Sequence, residues 1–417
     1  MGLSTEGRAQ PAPTGAGRPV RVLHLIETLG PGGAERLLHT NLKHLDPSRF
    51  ESTVVTVFAG PDHWVGPIRR LGVEVESLRC ARLGDLRTGV ARLRRLLLRA
   101  RPFDVIHTHL WAANVIGRVA GRVAGVPVVS SVHCPDHAPE VWHDGAGVSI
   151  WKRRASLLLD RWSARFGCAR MVAVSEYVRE YAARYLHFPV GRIDLIYNPI
   201  DTDALSEAAR EGRWREELLS ELGLEPESRV LLNVGRVSPA KGILYALRAM
   251  PHILREQPTA HLVLVGETTD ARWVEHLKEE ARARGVAGRV HFIGQRRDVA
   301  RYLRGCDLFV FPSLYEGLGI ALVEAMAAGC ACVATRTGPI PEVVTDGVDG
   351  WLVPPADAEA LAAAVCELLA DPARREALGR AAEASALARF RPQAAADALA
   401  RVYESVVARG RGAAAGG

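Results

Sequence analysis

Residues 230–242, VLLNVGRVSPAKG, decide the fold. Residues 230–234 read as a short apolar strand, Gly235 ends it, and a helix opens after Lys241 and Gly242. Strand, glycine loop and helix form the repeating unit of a parallel sheet covered by helices on both faces. The same alternation runs outward in both directions. Toward the N-terminus, strands are predicted at 20–26, 53–58, 73–78, 104–107, 127–133, 171–174 and 193–197, with helices such as 34–45, 86–100 and 112–124 between them. Toward the C-terminus they are predicted at 230–234, 262–265, 290–293, 308–311, 330–334 and 351–353. The pattern occurs twice, so the expected fold class is α/β: two doubly wound Rossmann-like domains facing across a cleft.

The 417 residues suit two domains of ordinary size, and 48% hydrophobic with 24% charged residues excludes wholesale disorder. The expected boundary follows Asn198-Pro199-Ile200-Asp201. That gives a loose tail at 1–18, a first domain at 19–200, and a second at 201–409 with its own C-terminal helices. A polar helix at 206–222 opens the second domain, and 410–417 form a disordered tail. No apolar run reaches the ~18–20 residues that cross a bilayer, and residues 1–18 lack the apolar core of a secretion signal. Seven scattered cysteines with no CxxC pair fit a reducing cytoplasm and argue against a thiolate zinc site. Residues 1–200 carry 27 Lys+Arg against 17 Asp+Glu, a net +10, while 201–417 carry 26 against 30, a net −4. The basic half favours an anionic partner. Arginine outnumbers lysine 49 to 4, which makes Lys241 conspicuous.

Ligands of open parallel sheets bind beyond the carboxyl ends of the strands. At the first such end, Gly30-Pro31-Gly32-Gly33-Ala34-Glu35 lets a backbone approach a ligand and offers helix N–H groups to an anion. A nicotinamide site fits less well, because the third glycine of GxGxxG and an acid after the second strand are both missing. His109 and His133 end two further strands. Such a pair suits a sugar hydroxyl, a phosphate or a metal, but no third metal ligand is evident. Gly235, Arg236 and Lys241 set two cations around a helix start, matching a diphosphate. Glu316-Gly317-Leu318-Gly319, with Glu324 eight residues after Glu316, places carboxylates and close-approach glycines at another strand end. Those carboxylates suit a ribose diol or a hexose. A glycosidase pair is the competing reading, made less attractive by the adjacent phosphate-type site. The loop Thr337-Gly338-Pro339-Ile340-Pro341-Glu342 is a weaker element of the same kind.

Together, GGAE at 32–35, VGR with KG at 234–242, and the pair Glu316 and Glu324 resemble the retaining GT-B glycosyltransferases of family 4, glycosyl transferases group 1, over residues 19–400. The resemblance implies transfer of a hexose from a UDP- or GDP-sugar to an acceptor hydroxyl with retention. It implies Arg236 and Lys241 on the donor diphosphate, Glu316 on the sugar, Glu324 on the ribose, Gly32 and Gly33 facing the diphosphate, and His133, with His109 second, near the sugar. Leu318 stands where the family usually has Phe. No metal and no cofactor is implied, and nucleic acid is not an expected partner. Polysaccharide or glycolipid biosynthesis is the implied setting, with a saccharide or lipid-linked acceptor against the first domain near 135–151. A pyridoxal-dependent phosphorylase, a sugar-nucleotide epimerase and a non-catalytic nucleotide-sugar binding or scaffold subunit are the alternatives. A cytoplasmic enzyme peripheral to the inner membrane is expected. Arg87, Arg92, Arg94, Arg95, Arg99 and Arg101 accompany Leu93, Leu96, Leu97 and Leu98, and Lys152, Arg153 and Arg154 add a second basic cluster for an anionic surface. The competing reading turns those leucines into the core.

Overall fold

The computed structural model describes residues 18–81, 85–98, 102–138, 141, 149–201, 213–268, 270–296 and 298–415. Residues 1–17 of the expected tail, most of the acceptor segment 135–151, residues 202–212, Arg99 and Arg101 lie outside the described residues.

The first domain runs β1 (Val20–Ile26), α1 (Gly33–His44), β2 (Phe50–Phe58), α2 (Val65–Arg70), β3 (Glu74–Cys80), α3 (Leu86–Leu97), β4 (Val105–His109), α4 (Trp111–Ala124), β5 (Val128–Val132), α5 (Ile150–Gly167), β6 (Arg170–Ala173), α6 (Glu176–Tyr185) and β7 (Ile193–Leu195). The second begins with α7 (Trp214–Leu222) and β8 (Arg229–Val234), followed by α8 (Ile243–Glu256), β9 (Ala260–Val265), α9 (Ala271–Ala283) and β10 (Val290–Gly294). It continues with α10 (Val299–Gly305), β11 (Leu308–Phe311), α11 (Ile320–Ala327), β12 (Cys332–Thr335), α12 (Ile340–Val343) and β13 (Trp351–Val353). Three helices close the chain: α13 (Ala358–Ala370), α14 (Pro372–Arg389) and α15 (Pro392–Ala415).

The strands form two sheets, ordered β3-β2-β1-β4-β5-β6-β7 and β10-β9-β8-β11-β12-β13, with parallel pairing. Both orders reverse direction beside their first strand, so crevices open between β1 and β4 and between β8 and β11. Alternation along β1 shows why the sheet is covered twice. Val22 packs with Val105, Val129 and Val172, whereas Leu23 and Leu25 pack with Leu93, Ile106 and Ile116. Each fully buried aliphatic side chain contributes about 1.5–3 kcal/mol. No helix among the described residues is long and apolar enough to cross a membrane.

Three expectations need correction. The last helix does not belong to the second domain. Leu399, Val402, Tyr403 and Val406 of α15 pack on Val22, Phe50, Val105 and Val129 of the first sheet. Its apolar stripe needs a sheet face, and α13 and α14 already occupy the nearer ones. The helix also runs to Ala415, past Gly410, where a disordered tail was expected. Ala413, Ala414 and Ala415 have high helix propensity and outweigh two isolated glycines. Third, α3 turns Leu93, Leu96 and Leu97 into the core. Its leucines are therefore not a membrane-facing stripe.

Candidate functional site

The two sheets present their switch-point loops to each other. From the second domain comes the loop after β8. Gly235 leaves the strand, Arg236 stands exposed at the cleft, and a single 3-10 turn, Pro239–Lys241, leads into α8. Gly242 sits between turn and helix with φ 61°, and a Cβ there would overlap the carbonyl oxygen of Pro312. Only glycine satisfies both conditions. Pro312 begins the loop after β11, so the two glycine-rich loops lock together. Leu314 N–H donates to the Ala240 carbonyl at 2.7 Å.

Glu316 lies in that second loop, five residues past the end of β11, and not at a strand end as expected. Its Oε1 accepts from Lys241 Nζ at 2.6 Å and from Ser313 Oγ at 2.8 Å. The cation expected at a diphosphate and the carboxylate expected at a sugar thus hold each other. Leu318 is buried beside the loop, and Gly319 (φ 92°) opens α11. Glu324, on the second turn of α11, is buried, and burial pushes its carboxyl up while Arg36 opposes the shift.

The first domain supplies the facing wall. The Gly32-Gly33 loop starts α1, and Gly33 approaches Ile320 at the head of α11. Arg36, one turn into α1, reaches across and places Nη1 2.6 Å from Glu324 Oε1. Glu27, just after β1, accepts from the Ala112 N–H at 2.7 Å and so caps α4. Burial raises the carboxyls of both Glu27 and Glu35, and Arg236 pulls Glu35 back down from across the cleft. His109 Nδ1 lies 3.2 Å from His133 Nε2, so the two expected histidines are brought together. Beneath them His107 bridges Tyr403 Oη at 2.7 Å and Ser131 Oγ at 2.8 Å. Asp136 stands exposed beside them, and the surrounding protein raises its carboxyl above the ordinary value.

Two further contacts hold the domains face to face. Ser175 Oγ donates to the Gly317 carbonyl at 2.6 Å. Glu342 accepts from Glu176 N–H at 2.8 Å and Tyr177 N–H at 2.7 Å, capping α6 from the opposite domain. The loop 337–342 therefore serves as an interdomain clasp. Sequence reasoning missed Glu27, Arg36, Asp136 and Ser175. A signal existed only for Arg36, a cation one turn past the glycine loop.

Among the described residues, His24, His107 and His109 form the one group close enough to hold a metal ion. Both ring nitrogens of His107 are already engaged, and the group sits beneath α15. Burial pushes His24 down to about 3 and His133 to about 4, and holds His107 and His109 well below the ordinary value. These rings are neutral at pH 7, so His133 acts as a hydrogen-bonding group and not as a cation.

An acid instability follows. Above about pH 6.5 neither folded nor unfolded histidine binds a proton. As the pH falls below that value the unfolded chain gains protons that the buried rings refuse. Stability is therefore lost by about 1.4 kcal/mol per pH unit for each fully buried ring, His24, His107 and His109. Urea midpoints should fall steeply from pH 7 to pH 5. A midpoint that stays level over that range would contradict neutral burial.

The residue set matches known families in both halves. Residues 215–385 match the model described as glycosyl transferases group 1, and residues 31–204 match that of glycosyltransferase family 4. The alpha-maltose-1-phosphate synthase of Mycolicibacterium smegmatis is 31% identical over 325 residues, covering 74% of this chain and 81% of that one. The chain belongs to the family 4 glycosyltransferases. A second relative, the UDP-Gal:alpha-D-GlcNAc-diphosphoundecaprenol alpha-1,3-galactosyltransferase of Escherichia coli, is 26% identical over 77% of this chain and 80% of its own length. Among solved structures, Anabaena HepE in complex with UDP and glucose superposes with TM-score 0.80 at 24% identity, covering 93% of this chain and 100% of HepE. The fold of this glycosyltransferase is thus GT-B, as the resemblance implied.

Proposed function

We propose that this glycosyltransferase moves a hexose from a nucleoside diphosphate sugar to an acceptor hydroxyl with retention, forming an α-linkage in polysaccharide or glycolipid biosynthesis. One observation carries the reading: two cations, Arg236 and Lys241, and two carboxylates, Glu316 and Glu324, line one cleft opposite Gly32 and Gly33. Arg236 and Lys241 bind the diphosphate. Gly235 lets the backbone approach it, and Gly317, Leu318 and Gly319 shape the sugar pocket. Glu324 accepts from the ribose diol, and Glu316 accepts from the hexose once the diphosphate has drawn Lys241 away. His133, supported by His109, contacts the sugar.

The bond from the anomeric carbon to the diphosphate oxygen breaks, and the acceptor oxygen bonds the same carbon from the same face. The acceptor proton passes to the leaving phosphate oxygen. Negative charge grows on the diphosphate, where preorganised cations and N–H groups act most strongly. A UDP-sugar is the favoured donor, by analogy with the UDP held by HepE and named in the E. coli relative. That relative also supports a lipid-linked acceptor, and with it a cytoplasmic enzyme in peripheral contact with an anionic membrane.

The test is a thermal-shift screen of uridine, guanosine and adenosine diphosphate sugars, followed by product analysis with lipid-linked and free saccharide acceptors. Donor binding with no product on any acceptor would leave a scaffold subunit. Turnover should also survive excess chelator, because Arg236, Lys241 and the N–H groups at the head of α8 neutralise the diphosphate. Complete loss, restored by Mg²⁺ or Mn²⁺, would overturn that assignment.

A further inference from the structure

The apolar surface of α5 remains unexplained by catalysis. Trp151, Leu158, Trp162 and Phe166 are 72%, 61%, 52% and 58% exposed. Their spacings of seven, four and four residues align them along one face of the helix. The stripe spans about 22 Å at 1.5 Å per residue. The Trp162 and Phe166 rings lie 5.9 Å apart, and the Arg154 guanidinium lies 5.4 Å from the Trp151 ring. The opposite face is fixed in place. Asp160 holds the buried Arg118 at 2.5 Å and His137 at 3.1 Å, and Ser163 and Ala164 are buried. The stripe therefore cannot rotate inward.

Charge identifies what the stripe meets. Helices α3, α4 and α5 pack side by side, and together they carry eleven Lys or Arg residues against one acid. That acid is Asp160, already paired with Arg118. Lys152, Arg154 and Arg165 are exposed along the stripe. Soluble proteins seldom expose a continuous apolar patch of this kind without a partner. Aromatic rings with flanking arginines suit the boundary between lipid tails and anionic headgroups.

We infer that α5 lies in the plane of an anionic bilayer, with Trp151, Leu158, Trp162 and Phe166 inserted and the flanking cations at the headgroup phosphates. This rests on the peripheral-membrane reading above and relocates its surface from α3 to α5. Asp160 and His137 tie the helix to the segment that follows His133, so the bound enzyme holds the acceptor side of its cleft near the membrane.

Co-sedimentation of the full chain with vesicles of mixed phosphatidylcholine and phosphatidylglycerol tests the inference. The wild type should partition onto them at low salt, less at high salt, and weakly onto phosphatidylcholine alone. Trp151→Ser/Trp162→Ser/Phe166→Ser and Arg154→Glu/Arg165→Glu should each lower partitioning by about tenfold or more. UDP binding, followed by thermal shift without vesicles, should persist in both variants and report that they fold. Wild-type partitioning in both variants, or no binding of the wild type at low salt, overturns the inference. So does a vesicle-free dimer that the triple variant converts to monomer, which would assign the stripe to a second copy. Failure of UDP binding in the wild type would instead strike the donor assignment and leave vesicle binding standing.

Discussion

Arg236→Ala and Lys241→Ala should each lower kcat by about 10²-fold or more if these cations meet the donor diphosphate as proposed, the cost of removing a preorganised charge-stabilising donor. The diphosphate gains charge as the sugar leaves, so its cationic partners bind the transition state better than the ground state. Arg236 gives the cleaner measurement. It is exposed at the cleft, and its truncation disturbs little else. Lys241→Ala also strips Glu316 of its 2.6 Å partner and leaves Ser313 alone to hold the carboxylate. Its loss therefore includes displacement of Glu316, and the double variant should cost less than the sum of the two. The ribose changes little during reaction, so Glu324→Gln should mainly raise the donor KM, and Glu316→Gln should lower kcat. Steady-state kinetics of the folded variants decide the matter. Near-normal kcat in both cation variants refutes the diphosphate assignment, and unchanged donor binding in Glu324→Gln refutes the ribose assignment.

The salt bridge from Arg36 adds a condition to that ribose contact. Glu324 is buried, and the Arg36 guanidinium opposes the upward push of burial on its carboxyl. A carboxylate has several lone pairs, so it can hold Arg36 at one oxygen and the ribose at the other. In the proposed donor complex, closure of the two domains would thereby help keep Glu324 ionised.

The strands were legible because parallel strands buried on both faces read as short apolar runs between glycine turns. Residues 20–26, 308–311 and 351–353 match the observed strands residue for residue. The glycine loops were legible for a related reason: a Cβ at Gly242 or Gly317 would overlap a carbonyl oxygen, and Gly235 and Gly319 hold positive φ angles that side chains rarely adopt. Contacts set by distant docking were not legible. The apolar stripe of α15 reads the same whether it packs on the second domain or returns to the first. Helix α5 holds Leu157, Leu158 and Leu159 in succession, so periodicity cannot tell which one faces water. Only the burial of Asp160 against Arg118 fixes its rotation. Glu27 and Asp136 carry no motif at all. Their significance comes from the walls that assemble around them.

Gly317→Ala should abolish turnover while leaving most nucleotide binding in place. Its backbone is not left-handed, so the requirement for glycine here is one of space. A methyl group at this position would overlap the carbonyl oxygen of His133 in the opposite domain. Neither partner can yield, because both are main chain, and the Gly317 carbonyl is already held by Ser175. The domains must separate, carrying His133 away from Glu316 and the Gly32-Gly33 loop away from α11. A shift of about 1 Å in reacting groups can cost about 10²-fold in rate, and loss of closure also admits water. Arg236, Lys241 and Glu324 all lie in the second domain, so UDP should still bind, weakened only by loss of the Arg36 contact to Glu324 and of the facing Gly32-Gly33 loop. Calorimetric titration with UDP alongside steady-state turnover separates the two effects. Wild-type kcat in Gly317→Ala would show that the tight approach of Gly317 to His133 is not part of the working enzyme. Loss of UDP binding together with turnover would show that the substitution damages the donor loop itself.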